Sequence, residues 1–511
     1  PARPVHFLTG TDEHADKVSR AALSRDLTPI EWATQNAEQF KAAFAFMRFT
    51  NSDFIRTTEP RHIDGASDII ARLMDAGEIA LGDYEGWYDP AQEEYLTETD
   101  AREHDFKSPV TGTPLEKRTE QNYFFDLPKH ADWLREQIET DAIRVLPEAR
   151  KNEVLGRIKQ GLQRVPVSRR VNPDDPEAVR DWGIRMPGDS DHRVYVWIEA
   201  LCNYVTALND AQREQFWPAA VHFMAKDILW FHAVIWPAML RALEMAPPKT
   251  VYAHAYFVAE GKKMSKSLGN FIEIDQLRAY AERYSIDAVR WYLTTQGPLG
   301  ANDADFSYQR FVEVYNADLA NGIGNAASRV SNMIGKYFDG TLPEQPSTPL
   351  QIEGFDWPDI TSAAAASFAS SFDAVAIDDA SAAGIRLVSQ VDGYINATRP
   401  FSLAKQLDDE PVYEDLTNRE ALAVILCQCA EALRIASLFL YPAMPDKMAE
   451  LWQRWGCSPL VDANDADSGL RAPLAEIATW GHNEFGLQPG TPIEKGDALF
   501  MRADANEDPP A

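Results

Sequence analysis

The feature that most constrains the fold is a change of hydrophobic pattern part-way along the chain. Before about residue 310, short runs of β-branched and aromatic residues alternate with stretches of helical period, and we expect strands at residues 5–9, 194–197, 222–224 and 250–252. This alternation is typical of a parallel α/β sheet. From about residue 311 helical periodicity takes over, which indicates a helix bundle. The sequence therefore predicts an α/β domain followed by an all-α domain.

Residues 77–165 interrupt the α/β pattern. They are rich in glycine, proline, tyrosine and acidic residues, a composition that indicates turns and short strands. We therefore expect a small β-rich module to be inserted into the α/β domain.

The charge balance limits the partners that the surface can bind. The 511 residues include 49 basic and 78 acidic ones, which gives a formal net charge of −29 at pH 7. This balance excludes a uniformly basic protein that coats nucleic acid, so an RNA partner would need a local basic region. The chain begins without the apolar segment of a signal peptide, and its four cysteines are too few for a disulfide framework. We expect a cytoplasmic protein with no membrane partner.

A lysine-rich loop between glycines is the most informative motif. Residues 261–269 begin and end with glycine and contain the run Lys263-Met264-Ser265-Lys266-Ser267. The glycines would allow the loop to move, and lysine ammonium groups suit the phosphates of a nucleotide. An arbitrary lysine-serine cluster is more often a solvated surface loop, so both interpretations stay open until other segments are considered.

Those other segments point to one family. Together with Lys263 to Ser267, they resemble the methionine branch of the class I aminoacyl-tRNA synthetases over nearly the whole chain. The segments are residues 7–14, 196–200, 226–232, 236–240 and 495–500. The resemblance implies a Rossmann-type parallel-sheet catalytic domain with an inserted connective-peptide module, followed by an all-α anticodon-binding helix bundle.

The resemblance also implies five segments. The catalytic domain would occupy residues 1–76, incomplete at its amino end, and residues 166–260. The connective-peptide insertion, without a zinc knuckle, would occupy residues 77–165. The lysine loop and a region that contacts the tRNA stem would follow at residues 261–310, and the anticodon-binding domain at residues 311–511.

The implied reaction joins methionine to its tRNA. The methionine carboxylate would attack the α-phosphorus of ATP, giving methionyl-adenylate and pyrophosphate, and the methionyl group would pass to the terminal ribose of methionine tRNA. Positioning and charge neutralisation would supply most of the acceleration, with Mg²⁺ on the ATP phosphates and no general base. The implied partners are methionine, ATP and methionine tRNA. We expect a monomer without structural zinc.

The residues expected at the active site match the chemistry of methionine, whose pocket needs one anion for the ammonium and soft aromatic walls for the thioether. The resemblance assigns the ammonium to Asp12 and the walls to Trp197, Ala200, Tyr204, Ile228 and His232. It assigns ATP binding to Asp227, Lys263, Met264, Ser265, Lys266 and Ser267, with catalysis by Lys263 and Lys266. From spacing alone, helix capping is the alternative role for the two aspartates, and the aromatic stripes would more often be core.

In the helical half, the resemblance assigns anticodon recognition to three residues. Asn325 and Arg329 lie at i and i+4, on one face of a predicted helix, in an Asn-x-x-x-Arg pattern that contacts anticodon bases in the family. Phe439 matches a family position where an aromatic ring stacks on the anticodon. On spacing alone, the pair would be a solvated helix face and Phe439 a core residue.

The sequence departs from the family at several places. Class I synthetases carry a His-x-Gly-His signature upstream of the segment that begins this chain, and no such signature occurs here. We expect an N-terminal truncation, and with it the loss of histidines that would contact the ATP phosphates. The places where some relatives bind zinc hold Asp89, Gln92, Ser108 and Thr111, which predicts no metal knuckle. Glu199 stands where aspartate is usual, and Ala225 where glycine is usual.

Two other functions stay open at this point. A class I synthetase for leucine, isoleucine or valine would need an editing insertion larger than residues 77–165, and one for cysteine would need a zinc thiolate site that four cysteines cannot build. The other alternative is a non-catalytic tRNA-binding homologue, suggested by the absent His-x-Gly-His signature.

Overall fold

A computed structural model gives the fold of the chain. The structure describes residues 4–90, 94–96, 98–208, 210, 212–259, 261–264, 271–462 and 465–510. The chain divides into two compact units, residues 5–255 and residues 256–511 together with the first four residues.

The first unit, residues 5–255, alternates strands and helices. Its strands are β1 (Leu8–Thr11), β2 (Asp53–Arg56), β3 (Ile79–Asp89), β4 (Glu94–Leu96), β5 (Glu116–Phe125), β6 (Arg144–Leu146), β7 (Val165–Pro166), β8 (Ser168–Arg170), β9 (Arg185–Met186), β10 (Asp189–Val194), β11 (His222–Ala225) and β12 (Thr250–His254). Its α-helices are α1 (Asp16–Leu23), α2 (Pro29–Phe46), α3 (Pro60–Asp75), α4 (Glu98–Glu103), α5 (Ala131–Glu139), α6 (Glu148–Gln160), α7 (Glu177–Arg180), α8 (Val196–Leu201), α9 (Asn203–Thr206) and α10 (Trp236–Ala242). Short 3-10 helices span Leu127–His130, Glu214–Phe216 and Lys226–Ile228, and a π-helix spans Phe231–Ile235.

The predicted parallel α/β architecture is confirmed, but the described parallel strands of this unit form two separate sheets. β1 pairs with β2, and β12 lies between β11 and β6, all in parallel. Gly10 makes the first pairing possible, because a Cβ atom there would lie 2.0 Å from the carbonyl oxygen of Ile55. Helices α3 and α10 pack buried apolar side chains into the core of this unit.

Two of the predicted strands have different bounds. β1 begins at Leu8 rather than at residue 5. The strand predicted at residues 194–197 is wrong, because β10 ends at Val194 and α8 begins at Val196. Both the strand end and the first helical turn are buried, so an apolar run of this length does not distinguish them.

Antiparallel strands occupy much of the region between residues 77 and 166. β3 pairs with β5 over ten positions, and β4 and β7 extend this sheet to the order β4-β3-β5-β7. β6, from the same stretch of sequence, instead pairs in parallel with β12. The Ser108 hydroxyl accepts the backbone N–H groups of Val110 and Thr111 at 3.3 and 3.1 Å, so hydrogen bonds of serine hold the turn where some relatives were expected to bind zinc.

The second unit, residues 256–511, is mainly helical, which confirms the predicted helix bundle. Its strands are β13 (Phe257–Ala259), β14 (Lys262–Lys263), β15 (Ala304–Phe306), β16 (Val461–Asp462) and β17 (Asp465–Leu470). Its α-helices are α11 (Ile274–Tyr284), α12 (Ile286–Gln296), α13 (Tyr308–Val314), α14 (Gly324–Tyr337), α15 (Trp357–Asp373), α16 (Ile377–Thr398), α17 (Pro400–Leu403), α18 (Asn418–Leu440), α19 (Pro445–Arg454) and α20 (Leu474–Ile477). A π-helix spans Tyr315–Ile323.

Helix α18 is the centre of this bundle. It begins with a capping box formed by Thr417 and Glu420, and nearly all its side chains are buried. Among the described helices, α18 is long and apolar enough to cross a membrane by length and composition, yet 94% of its apolar window is buried inside the structure. Arg434 is fully buried in this helix and forms two hydrogen bonds to Glu431, at 2.9 and 2.8 Å.

Candidate active site

Asp12 lies directly after β1, at the carboxyl end of a parallel strand, where α/β sheets place ligands. Helix α1 begins at Asp16 with Ala15 as its N-cap and no side-chain cap, so the alternative in which Asp12 caps this helix is wrong. Asp12 is exposed to solvent. Desolvation, followed by the nearby charge of Glu199, raises the pKa of Asp12 well above its usual range, against the opposing effect of Lys17.

The predicted aromatic wall comes together on α8, α9 and the π-helix Phe231–Ile235. Trp197 and Tyr204 are each half-buried, as is Ala200 between them. The Trp197 ring stacks on Phe231 with centroids 5.2 Å apart. The Tyr204 hydroxyl lies 2.8 Å from Nε2 of His232.

The hydrogen bonds of His232 define its protonation. Nδ1 lies 2.9 Å from the carbonyl oxygen of Ile228, which can only accept, so Nδ1 carries the proton and Nε2 accepts from the Tyr204 hydroxyl. Desolvation lowers the pKa of His232 and raises the pKa of Tyr204, which keeps both groups neutral. Next to them, burial lowers the pKa of His222 to about 3. The wall is therefore aromatic, polar at defined atoms and uncharged, as a thioether requires.

A buried network joins the loop after β1 to the helices that carry this wall. Glu199 accepts hydrogen bonds from Nδ1 of His14 at 3.0 Å and from Nε2 of His62 at 2.6 Å. Nδ1 of His62 lies 2.9 Å from the Thr206 hydroxyl. Desolvation opposes ionisation of Glu199, but the two histidines outweigh it, so the pKa of Glu199 is lowered and the carboxylate stays charged. We call His14, His62, Glu199 and Thr206 the Glu199 network.

Glu13, next to Asp12, is held by a second set of contacts. Its carboxylate accepts two hydrogen bonds from Arg56, at 2.8 and 3.1 Å, and further ones from Thr11 and Thr58. Its backbone N–H donates to Thr57, and its carbonyl oxygen accepts from the Trp182 indole at 2.8 Å. The backbone around Asp12 is therefore anchored on both sides.

A cavity of about 980 Å³ borders His14 and Val196, beside these groups. Its described walls include Arg20, Arg169, Arg170 and Arg193, and these four arginines outnumber the three aspartates among its lining residues. The Arg169 guanidinium lies 3.9 Å from the centroid of the Tyr195 ring. We call this space the arginine cavity. Two of its arginines pair with lining aspartates, Arg20 with Asp175 at 2.9 Å and Arg193 with Asp16 at 3.8 Å, so the described lining is only slightly positive.

The predicted ATP-binding residues are divided between the two compact units. Asp227 is exposed in the 3-10 turn that follows β11, again at the carboxyl end of a parallel strand. In the second unit, β13 and β14 form a hairpin in which Val258 pairs with Lys263, and Gly261 at its turn has a positive φ of 70°. The Gly261 N–H donates to Asp305 at 2.9 Å, and Met264 follows the hairpin half-buried. Ser265, Lys266 and Ser267 lie outside the described residues.

Comparison with known proteins decides the family. The family model described as tRNA synthetases class I (M) matches residues 2–104 and 100–331. The chain belongs to this family of class I tRNA synthetases. The methionine–tRNA ligase of Caldanaerobacter subterraneus subsp. tengcongensis is 36% identical over 510 residues, which cover 99% of this chain and 74% of the relative. That of Streptomyces coelicolor is 36% identical over 509 residues, covering 98% and 89%.

A solved structure agrees with this family. The methionyl-tRNA synthetase of Mycobacterium tuberculosis bound by methionyl-adenylate superposes with a TM-score of 0.81 at 29% identity, covering 97% of this chain and 92% of that one. Its apo form superposes with a TM-score of 0.76 at 24% identity. The Rossmann-type catalytic fold and the helical anticodon-binding fold expected of this synthetase family are therefore confirmed.

The residues predicted to read the anticodon are only partly on one surface. Asn325 is exposed on α14, and Arg329, one turn later, forms an ion pair with Asp392 at 3.1 Å. Phe439 instead is 1% exposed on α18, and its ring stacks on Phe368 at 4.9 Å. In this structure Phe439 is a core residue, because the face of α18 that carries it is buried, and its ring is not available to a base.

Sequence reasoning missed an exposed aromatic beside Arg329. Phe401, on α17, is 43% exposed, and the Arg329 guanidinium lies 5.2 Å from its ring centroid. Asn325, Arg329 and Phe401 form what we call the Arg329 face. A Pro-Phe pair at the start of a helix was the available signal, but it is too common to identify such a surface.

Proposed function

We propose that this synthetase is a methionine–tRNA ligase, which activates methionine with ATP and transfers it to methionine tRNA. The observation that carries the proposal is the neutral pair of Tyr204 and His232 in a wall with Trp197, in the same compact unit as the exposed carboxyl group of Asp12. This combination provides one anion for an ammonium and uncharged aromatic walls for a thioether.

In the proposed reaction, Asp12 binds the methionine ammonium, while Trp197, Ala200, Tyr204, Ile228 and His232 enclose its side chain. A carboxylate oxygen of methionine attacks the α-phosphorus of ATP, supplied with its Mg²⁺, and the bond to the β-phosphate breaks to release pyrophosphate. Asp227 holds the ATP ribose, and residues 263–267, with Lys263 and Lys266 foremost, neutralise the phosphates. No protein group needs to remove a proton, because the attacking carboxylate is already ionised.

We propose that the tRNA is bound at two places. Its anticodon meets the Arg329 face, where Phe401 rather than Phe439 offers a ring for stacking and Asn325 and Arg329 offer hydrogen bonds. Its single-stranded 3′ end enters the arginine cavity, whose arginines, Tyr88 and Trp182 suit phosphates and bases. The negative charge elsewhere on the chain makes non-specific RNA binding weak and steeply dependent on salt.

Methionine-dependent exchange of labelled pyrophosphate into ATP tests the proposal. We expect exchange with methionine and none with leucine, isoleucine, valine or cysteine. The alternative is a non-catalytic tRNA-binding homologue of the same family. A chain that binds methionine tRNA but neither exchanges pyrophosphate nor binds methionine would establish that alternative.

A further inference from the structure

The Glu199 network is the most completely buried polar cluster near the proposed methionine site. His62, Glu199 and Thr206 are each no more than 1% exposed, and His14 is 8% exposed. Burying a carboxylate costs free energy unless its oxygens are hydrogen-bonded, and here each oxygen of Glu199 accepts from a different histidine. Such a network holds its members in one geometry, because breaking any bond leaves a buried polar group without a partner.

The members of the network lie next to the proposed methionine-binding residues. His14 is two residues beyond Asp12, and Glu199 is between Trp197 and Ala200 on α8. Thr206 is two residues beyond Tyr204 on α9. The network therefore connects the backbone that carries the ammonium-binding carboxylate to both short helices that carry the aromatic wall.

We infer that Glu199 is a positioning residue of the methionine site, whose hydrogen bonds to His14 and His62 set the placement of Asp12 relative to the wall formed by Trp197, Ala200 and Tyr204. The inference rests on the proposed function. It gives Glu199 a role without contact to the ligand, since both of its oxygens are occupied within the network.

The charge of Glu199 adds to its geometric role. It is the main charged group that opposes ionisation of Asp12, and an incoming ammonium is attracted by both carboxylates. A ligand without an ammonium gains nothing from this arrangement. The effect of Glu199 should therefore appear as selectivity between ligands that differ only at the amino group.

The test compares methionine with its des-amino analogue, in which hydrogen replaces the amino group, by titration calorimetry on the full chain. Glu199→Gln preserves the shape of the side chain, but an amide has only one oxygen that can accept a hydrogen bond. At least one of the two hydrogen bonds from His14 and His62 is therefore lost, or is kept only with the amide nitrogen as its donor. We expect the ratio of the two affinities to fall about tenfold or more, the coupling typical of groups in one network, with the affinity for the des-amino analogue nearly unchanged.

Three further variants separate a positioning role of Glu199 from a general loss of folded structure. Glu78→Gln removes a carboxylate that is bonded to a histidine in the same unit, His130 at 3.3 Å, and should leave the ratio unchanged. In the background of Asp12→Asn, Glu199→Gln should lower methionine affinity by a smaller factor than in the unaltered chain, because the group that it positions has lost its charge and only the direct attraction by Glu199 remains. If Glu199→Gln does not fold, Thr206→Val removes only the outer bond of the network and should lower the ratio about fivefold.

The outcomes distinguish this inference from the proposed function. If the unaltered chain binds no methionine, the proposed function and the inference both fail. If it binds methionine but Glu199→Gln weakens both ligands by the same factor, or weakens neither, only the positioning role is overturned. Equal effects of Glu78→Gln and Glu199→Gln on the ratio would overturn it as well.

Discussion

The proposed methionine site and the Arg329 face differ in how firmly the protein holds them. Around the methionine site, both ring nitrogens of His232 are engaged in partly buried hydrogen bonds, and both oxygens of Glu199 in fully buried ones. On the Arg329 face, Asn325 is exposed and Arg329 has one ion pair and one ring contact. A small ligand can be selected only by groups that are already in place, whereas an RNA loop supplies many of the contacts that order a side chain.

The largest expected effect separates the two aromatic candidates of the second unit. Because Phe439 is buried against Phe368, Phe439→Ala should lower the free energy of unfolding by about 3–5 kcal/mol. Denaturant unfolding followed by fluorescence measures this change, with Phe401→Ala as the exposed control, for which we expect less than about 1 kcal/mol. Equal losses in both variants would contradict the assignment of Phe439 to the core.

The next effect concerns the anion of the methionine site. Asp12→Asn should weaken methionine binding about 100-fold, since it removes the charge that pairs with the ammonium. The same variant should be more stable than the unaltered chain at neutral pH, because ionising a carboxyl whose pKa is raised by burial costs free energy in the folded state. Calorimetry and unfolding experiments measure the two changes. Unchanged methionine affinity would remove Asp12 from the site.

A smaller effect is expected on the Arg329 face. Phe401→Ala should weaken binding of methionine tRNA by about 1–3 kcal/mol, the value of one base stacked on an aromatic ring. Phe372→Ala is a matched control, since its ring is 40% exposed, close to the 43% of Phe401, but contacts Phe368 instead of Arg329. Filter binding at two salt concentrations measures both variants. If they lose equal affinity, stacking on Phe401 is wrong.

The smallest effect is a pH dependence of methionine binding. The raised pKa of Asp12 leaves part of its carboxyl protonated above the usual aspartate range of about pH 4, so methionine affinity should rise with pH in that window. Glu199 stays ionised there because its histidine partners lower its pKa, and methionine itself does not change charge. Calorimetry at a series of pH values above about pH 4 should show this slope, and Asp12→Asn should abolish it.

The sequence predicted the fold better than it predicted the side-chain contacts within the fold. Alternation of apolar runs was sufficient to predict parallel strands such as β11 and β12, because it records which faces are buried. The same pattern could not separate the end of β10 from the start of α8, since both are buried at Val194 and Ile198. It also could not reveal that β1 and β2 form one sheet while β6, β11 and β12 form another, since pairing partners are far apart along the chain.

Within the candidate sites, local spacing was informative where one helix or turn carries the residues. It correctly grouped Asn325 with Arg329 on one helix, but the ring beside them, Phe401, comes from another helix. The Glu199 network joins positions 14, 62, 199 and 206, which no spacing rule relates. Spacing alone left a core position open for Phe439, which is where the structure places it, whereas the family resemblance assigned it to the anticodon.

The buried pair of Glu431 and Arg434 has a practical consequence for shortening the protein. Arg434 donates to the carbonyl oxygen of Ile477 at 3.0 Å, and Glu431 accepts the backbone N–H groups of Gly481 and Leu487 at 3.3 and 3.0 Å. A chain that ends before residue 477 would lack the backbone groups that hydrogen-bond to the buried charges of Glu431 and Arg434. A shortened protein that comprises only the helical half should therefore extend beyond Leu487, even though residues 478–487 form no helix.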